Sequence, residues 1–168
     1  MKLNKVKKTL LGLGLVLSFA SCSAATNGEQ VKNENVQTKA VKENPVKESV
    51  AKFESVFGIT TEFKIIEKLT EGMANPEVKI EAKSYNQDGK LVDLRKAFVN
   101  EETKKFFTED IQKIVKQDKT GKYFNDAKVN LDDAVMILNG KNLIFVFPQY
   151  VLGPHSSGLL EFSYQLVK

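Results

Sequence analysis

His155 is the only histidine of this 168-residue chain, and Ser156 and Ser157 follow it directly. A serine beside a histidine is the minimal arrangement for nucleophilic catalysis, because imidazole can take the hydroxyl proton. Adjacent residues on an extended loop point apart, however, and no second histidine stands ready to help. A single imidazole is also a poor metal site, since tetrahedral centres need three or four nitrogen, sulfur or carboxylate ligands. Ser84, Asn86, Asp88 and Gly89 match the opening spacing of a calcium loop, but Arg95 occupies the place of its bidentate glutamate. A cation there repels the ion, and Asn86-Gln87-Asp88-Gly89 reads as a turn. Asp132 and Asp133 are neighbours at a strand entrance and point to opposite faces. Glycoside chemistry needs facing carboxylates about 5–10 Å apart. No constellation specifies catalysis, a metal or a cofactor, and the expectation is a protein that is not an enzyme.

The one cysteine, Cys22, has a more specific setting. Met1–Lys8 carries four lysines and no acid, Thr9–Phe19 is almost wholly apolar, and Ala20-Ser21 supplies small residues before the thiol. These are the three regions of a cleaved export signal. Leu10–Phe19 is shorter than the roughly 20 apolar residues a resident membrane helix needs. The arrangement resembles a bacterial lipoprotein signal, with Phe19 where such signals usually carry leucine. That resemblance implies cleavage after Ser21, a diacylglyceryl group on the Cys22 sulfur and an extracytoplasmic protein held on the cell membrane or outer membrane. Two or more acyl chains, at about 0.8 kcal/mol per buried methylene, anchor stably where one does not. An ordinary secretory signal cut near Ala24 or Ala25 is the competing reading.

Processing also changes the charge. The whole chain has a formal net charge of +4. Lys2, Lys5, Lys7 and Lys8 leave with the signal, so the 21 basic residues that remain balance the 21 acidic ones. A nucleic-acid partner, which requires an excess of Lys and Arg, is not expected.

Residues 22–50 read as a lipid-anchored low-complexity tether. Val31, Val36, Val41 and Val46 recur every five residues, a period that builds neither a helical nor a strand face. As a flexible coil of about 28 residues it would reach roughly 30 Å. Residues 51–168 then form a single domain. Val46, Val50, Phe53 and Phe57 fall at helical spacing, with Gly58 able to end the element. Ile65, Ile66, Leu69 and Met73 suggest a second helix capped by Thr60 or Thr61. The alternation of Phe63 and Ile65 favours a strand instead, and both readings stand. Val78, Ile80 and Ala82 alternate with charges as a half-exposed strand does. Asp93 caps a short helix over Leu94–Phe98. Asn100, followed by Glu101 and Glu102, starts the most secure helix, whose stripe is Phe106, Phe107, Ile111, Ile114 and Val115. Ala134–Leu138 and Leu143–Phe147 flank Asn139-Gly140 as a hairpin. Both runs are apolar on consecutive positions, so both faces of the hairpin should be covered, one by the Phe106 helix. Leu160, Phe162, Tyr164 and Leu166 form a last strand with one wet face. Helices ahead of antiparallel strands give an α+β domain: an antiparallel sheet with helices packed on one face.

Pro148–Gly158 joins two strands with about 11 residues where a hairpin needs 2–5. Two prolines stiffen it, and Tyr150, His155, Ser156 and Ser157 are its candidate partner-binding residues, with Tyr150 expected to pack and His155 to be exposed. Leu91-Val92-Asp93-Leu94, the Phe106/Ile111 helix and Phe145–Gly158 resemble the C-terminal domain of the lysozyme-sensing anti-sigma-V factor. That module also occurs in peptidoglycan deacetylases and envelope lipoproteins. The likeness spans roughly Gly89–Val167. Arg95 departs from it where the family often has phenylalanine, as does Ser163 where proline is usual, and residues 51–88 look abbreviated. The resemblance carries no catalytic residues. It implies a non-enzymatic envelope binding or sensing domain, with a peptidoglycan-related ligand or lysozyme as partner. The alternatives are an envelope hydrolase using Ser156 or Ser157 with His155, and a structural envelope-assembly lipoprotein.

Overall fold

The computed structural model describes residues 46–166 other than Met73, together with the backbone of Val6–Lys7. The rest of the expected signal, Cys22 and most of the expected tether lie outside the described residues. The elements in order are β1 (Val6–Lys7), β2 (Val46–Glu54), β3 (Ile59–Lys68), β4 (Glu77–Asn86), β5 (Leu91–Val92), α1 (Leu94–Phe98), α2 (Glu101–Gln117), β6 (Val135–Asn139), β7 (Asn142–Phe147) and β8 (Leu160–Leu166). They make two antiparallel sheets, ordered β1-β8-β7-β6 and β2-β3-β4-β5. The fold is α+β.

The sheet β8-β7-β6 is the middle layer, and its sequence alternation explains why. Met136, Leu138, Leu143, Phe145, Phe147, Leu160, Phe162 and Tyr164 point to one side, where they meet Leu94, Phe98, Phe107, Ile111 and Val115 of the helices. Ile137, Ile144 and Val146 point to the other side, where Phe63 and Ile80 of the second sheet cover them. Both faces of the β6–β7 hairpin are thus dry, as its consecutive apolar residues require. β8 alternates strictly, with Glu161 and Ser163 exposed. At the seam between the sheets the buried Thr61 and Ser84 hydroxyls hydrogen-bond each other at 2.9 Å, so neither polar group is stranded.

Local signals place the helices. The Asp93 carboxylate accepts from the Arg95 and Lys96 amides, and Asn100 and Thr103 close a reciprocal capping box. Long-range polar contacts then fix the helices to the sheet. Tyr164 Oη donates to Asp110 at 3.0 Å; burial first, and the Asp110 carboxylate second, push the phenol well above its ordinary pKa. Arg95 donates to the Leu131 and Ala134 carbonyls at 2.9 and 3.0 Å and to the Asp132 carboxylate at 3.1 Å. The arginine that breaks the resemblance therefore ties α1 to the entrance of β6. Lys104 Nζ donates to the same carboxylate at 2.9 Å and, with Arg95, holds the Asp132 carboxyl below its usual range.

The first third of the domain differs from expectation. Val46, Val50, Phe53 and Phe57 do not form a helix: Val46–Glu54 is a strand, paired with Ile59–Lys68 over its whole length. The strand alternative also prevails for Ile65 and Ile66. The sheet therefore begins at Val46, and the last five residues assigned to the tether belong to it. The hairpin turn moves by one residue as well. Asn139 pairs with Asn142, leaving Gly140-Lys141 as the two-residue turn with Gly140 at φ 57°. Glycine at the first central position is the requirement of a type II′ turn.

Candidate functional site

Two loops build the rim singled out by the sequence. One follows α2 and contains Lys122, Tyr123 and Phe124; the other is Pro148–Gly158. The Phe124 amide donates to the Leu152 carbonyl at 2.9 Å, and Ser157 Oγ donates to the Lys122 carbonyl at 2.7 Å. Gly153 sits in the contact, where a Cβ would overlap the Lys122 carbonyl oxygen. Only glycine lets the two backbones come this close. Gln112 of α2 braces the first loop, donating to the Ala127 carbonyl and accepting from the Val129 amide, both at 2.9 Å. Asp118 folds the loop's start by accepting from the Thr120 and Lys122 amides. Tyr123 stacks on Phe162, and burial together with the Asp118 charge raises the pKa of its phenol.

The rim reverses the expected roles of its two rings. Tyr150 is 62% exposed and is the one non-glycine among the described residues with positive φ, at 66°. Its amide donates to the Gly153 carbonyl at 3.1 Å, closing a turn onto the glycine that lies against the Lys122 carbonyl. His155 is the less exposed of the two, and its Nε2 is buried without a hydrogen-bond partner among the described residues. The rings lie 5.9 Å apart between centroids. Ser156 is exposed.

The structure does not assemble the Ser–His pair. Ser157 gives its hydroxyl proton to a backbone carbonyl, and no hydrogen bond joins the imidazole to either serine. Asp132 is committed to Arg95 and Lys104. Asn86 Oδ1 accepts from the Asp88 and Lys90 amides, as a turn asparagine does. Among the described residues no group of three histidine, cysteine, aspartate or glutamate side chains is placed to hold a metal. Two shallow depressions lie among the described residues. One, of about 440 Å³, runs along α2 at Gln112 and Lys116, and the other, of about 400 Å³, lies between Ser84, Asp93 and Met136. Neither includes Tyr150 or His155. No described helix is long and apolar enough to cross a membrane.

No family model matches the chain, and no curated protein matches it either.

Proposed function

We propose that this chain is a lipid-anchored, non-enzymatic binding or sensing domain of the bacterial envelope, and that the Tyr150–His155 rim is its partner-binding edge. Tyr150 is the observation that carries the reading. A left-handed backbone costs a residue with a side chain about 1–2 kcal/mol. Such strain concentrates where it has a use. Here it holds a large ring out in solvent on a loop clamped by Gly153, Ser157 and Phe124, so little ordering cost is left for binding. The resemblance in Gly89–Val167 supports a peptidoglycan-related ligand or lysozyme as the partner. The Cys22 setting supports anchorage through lipid.

Purified protein is tested against insoluble peptidoglycan and, separately, against lysozyme. Tyr150→Gly relieves the backbone strain while deleting the ring. Affinity for the partner is expected to fall by about 2 kcal/mol or more, roughly 30-fold. Thermal stability should stay level or rise by up to about 1 kcal/mol. Unchanged binding removes the rim from the function. Hydrolysis of peptidoglycan by the wild type, lost in His155→Ala, would promote the hydrolase alternative.

Anchorage has its own measurement. Cys22→Ser is expected to shift the protein from the detergent phase to the aqueous phase in phase partitioning. Retention equal to wild type would mean that something other than a lipidated cysteine holds it.

A further inference from the structure

β2 is an edge strand nine residues long, and among the described residues no strand pairs with its other side. Its Glu54 carbonyl accepts from the Gly140 amide, so the backbone groups of Glu54 point away from β3. Backbone direction alternates along a strand. Val46, Glu48, Val50 and Lys52 therefore aim their N–H and C=O groups at the open edge. The same four residues place their side chains on the outer face. Val46 and Val50 are 55% and 60% exposed there, an unusual position for valine on a strand whose edge no described strand covers.

We propose that this edge pairs with the β2 edge of a second copy of the chain, antiparallel about a two-fold axis at Val50. Three registers near the strand centre let outward-facing backbone groups meet. Centred on Ser49, the pairing sets Glu48 against Val50 and Val46 against Lys52, with no complementarity. Centred on Ala51, it sets Glu48 against Glu54 twice, and like charges directly opposite are destabilising. Centred on Val50, it sets Glu48 against Lys52 of the other copy twice and Val50 against Val50, and the ladder ends short of Val46 opposite Glu54, whose carbonyl Gly140 already holds.

The last register also continues a charge pattern already built into the sheet. Lys83, Glu62 and Lys52 are opposite one another across β4, β3 and β2. Lys52 bonds Glu62 at 2.8 Å and Lys64 bonds Glu48 at 2.7 Å. A glutamate from the second copy is the next member of the row Lys83–Glu62–Lys52. The product is a continuous eight-stranded sheet, β5-β4-β3-β2 joined to its symmetry mate, with an isologous contact.

The test is disulfide cross-linking in the processed, full-length protein. Cys22 either carries lipid or leaves with the signal, so Val50→Cys supplies the one free thiol. Cα atoms opposite each other in a hydrogen-bonded antiparallel pair are about 5.5 Å apart, inside the disulfide range. Val50→Cys should cross-link several-fold faster than Leu91→Cys, a control on β5 that is 70% exposed. Adding Glu48→Lys, or adding Lys52→Glu, puts like charges opposite each other twice and should suppress the cross-link. Co-expressing the two variants with different tags restores both opposite-charge pairs, and the mixed dimer should form at close to the parental rate. Cross-linking of Val50→Cys no faster than the control, or no recovery on mixing, overturns the proposal.

Discussion

Phe107→Ala is expected to cost the domain about 3–5 kcal/mol, while Phe106→Ala costs about 1 kcal/mol or less. The two residues are adjacent in α2 and share one chemistry, so the contrast isolates position. Phe107 is fully buried, with ring centroids 5.0 Å from Phe145 and 4.7 Å from Tyr164. Deleting it opens a cavity where helix, β7 and β8 meet. It also strips packing from Tyr164, whose hydroxyl holds Asp110 of the same helix. Phe106 lies at the rim of the cluster and is 45% exposed. Domains of this size are stable by roughly 5–15 kcal/mol in all. Loss at Phe107 therefore approaches global unfolding, read as a large drop in the urea midpoint. Equal midpoints for the two variants would mean that α2 packs through a different face.

What the sequence made legible follows how local each signal is. Asp93 and Asn100 cap their helices because capping involves only the next three residues, and such chemistry is written in consecutive letters. The doubly covered β6–β7 hairpin was legible because burial on both faces leaves no polar position to misread. β2 was not legible, and the reason lies in its packing. Its inward positions are Lys47, Ser49, Ala51 and Phe53, of which Phe53 packs against the Phe63 cluster as a partly buried hydrophobic residue. The apolar residues at Val46 and Val50 face outward instead, and their spacing with Phe53 and Phe57 mimics a helix. Tyr150 and His155 exchanged roles for a similar reason. The Tyr150 amide bonds the Gly153 carbonyl, and Gly153 lies against a carbonyl 31 residues earlier at Lys122, a contact that no local pattern encodes. The proposed anchorage, by contrast, rests on Cys22 and its flanks alone, so the sequence remains its whole support.

The boundary of the folding unit gives the second large effect. A chain starting at Val46 is expected to melt within a few degrees of the longer protein, because every strand of the second sheet is kept. A chain starting at Ala51 loses Val46–Val50, the partners of Lys64–Lys68, and leaves half of β3 as a bare edge. Few apolar contacts go with those five residues, so this form should fold with reduced stability. A chain starting at Ser55 loses Phe53 as well, and with it part of the cover over Phe63, Ile137 and Val146. It also turns β3, with its Phe63, Ile65 and Ile66, into an unprotected edge open to aggregation. The expectation is a graded loss across the first two starts and failure at the third, measured as thermal midpoint and as soluble yield. If the form starting at Ala51 matched the one starting at Val46, the first half of β2 would contribute nothing to the fold. If the form starting at Ser55 matched them too, the second sheet would not be what keeps Ile137, Ile144 and Val146 dry.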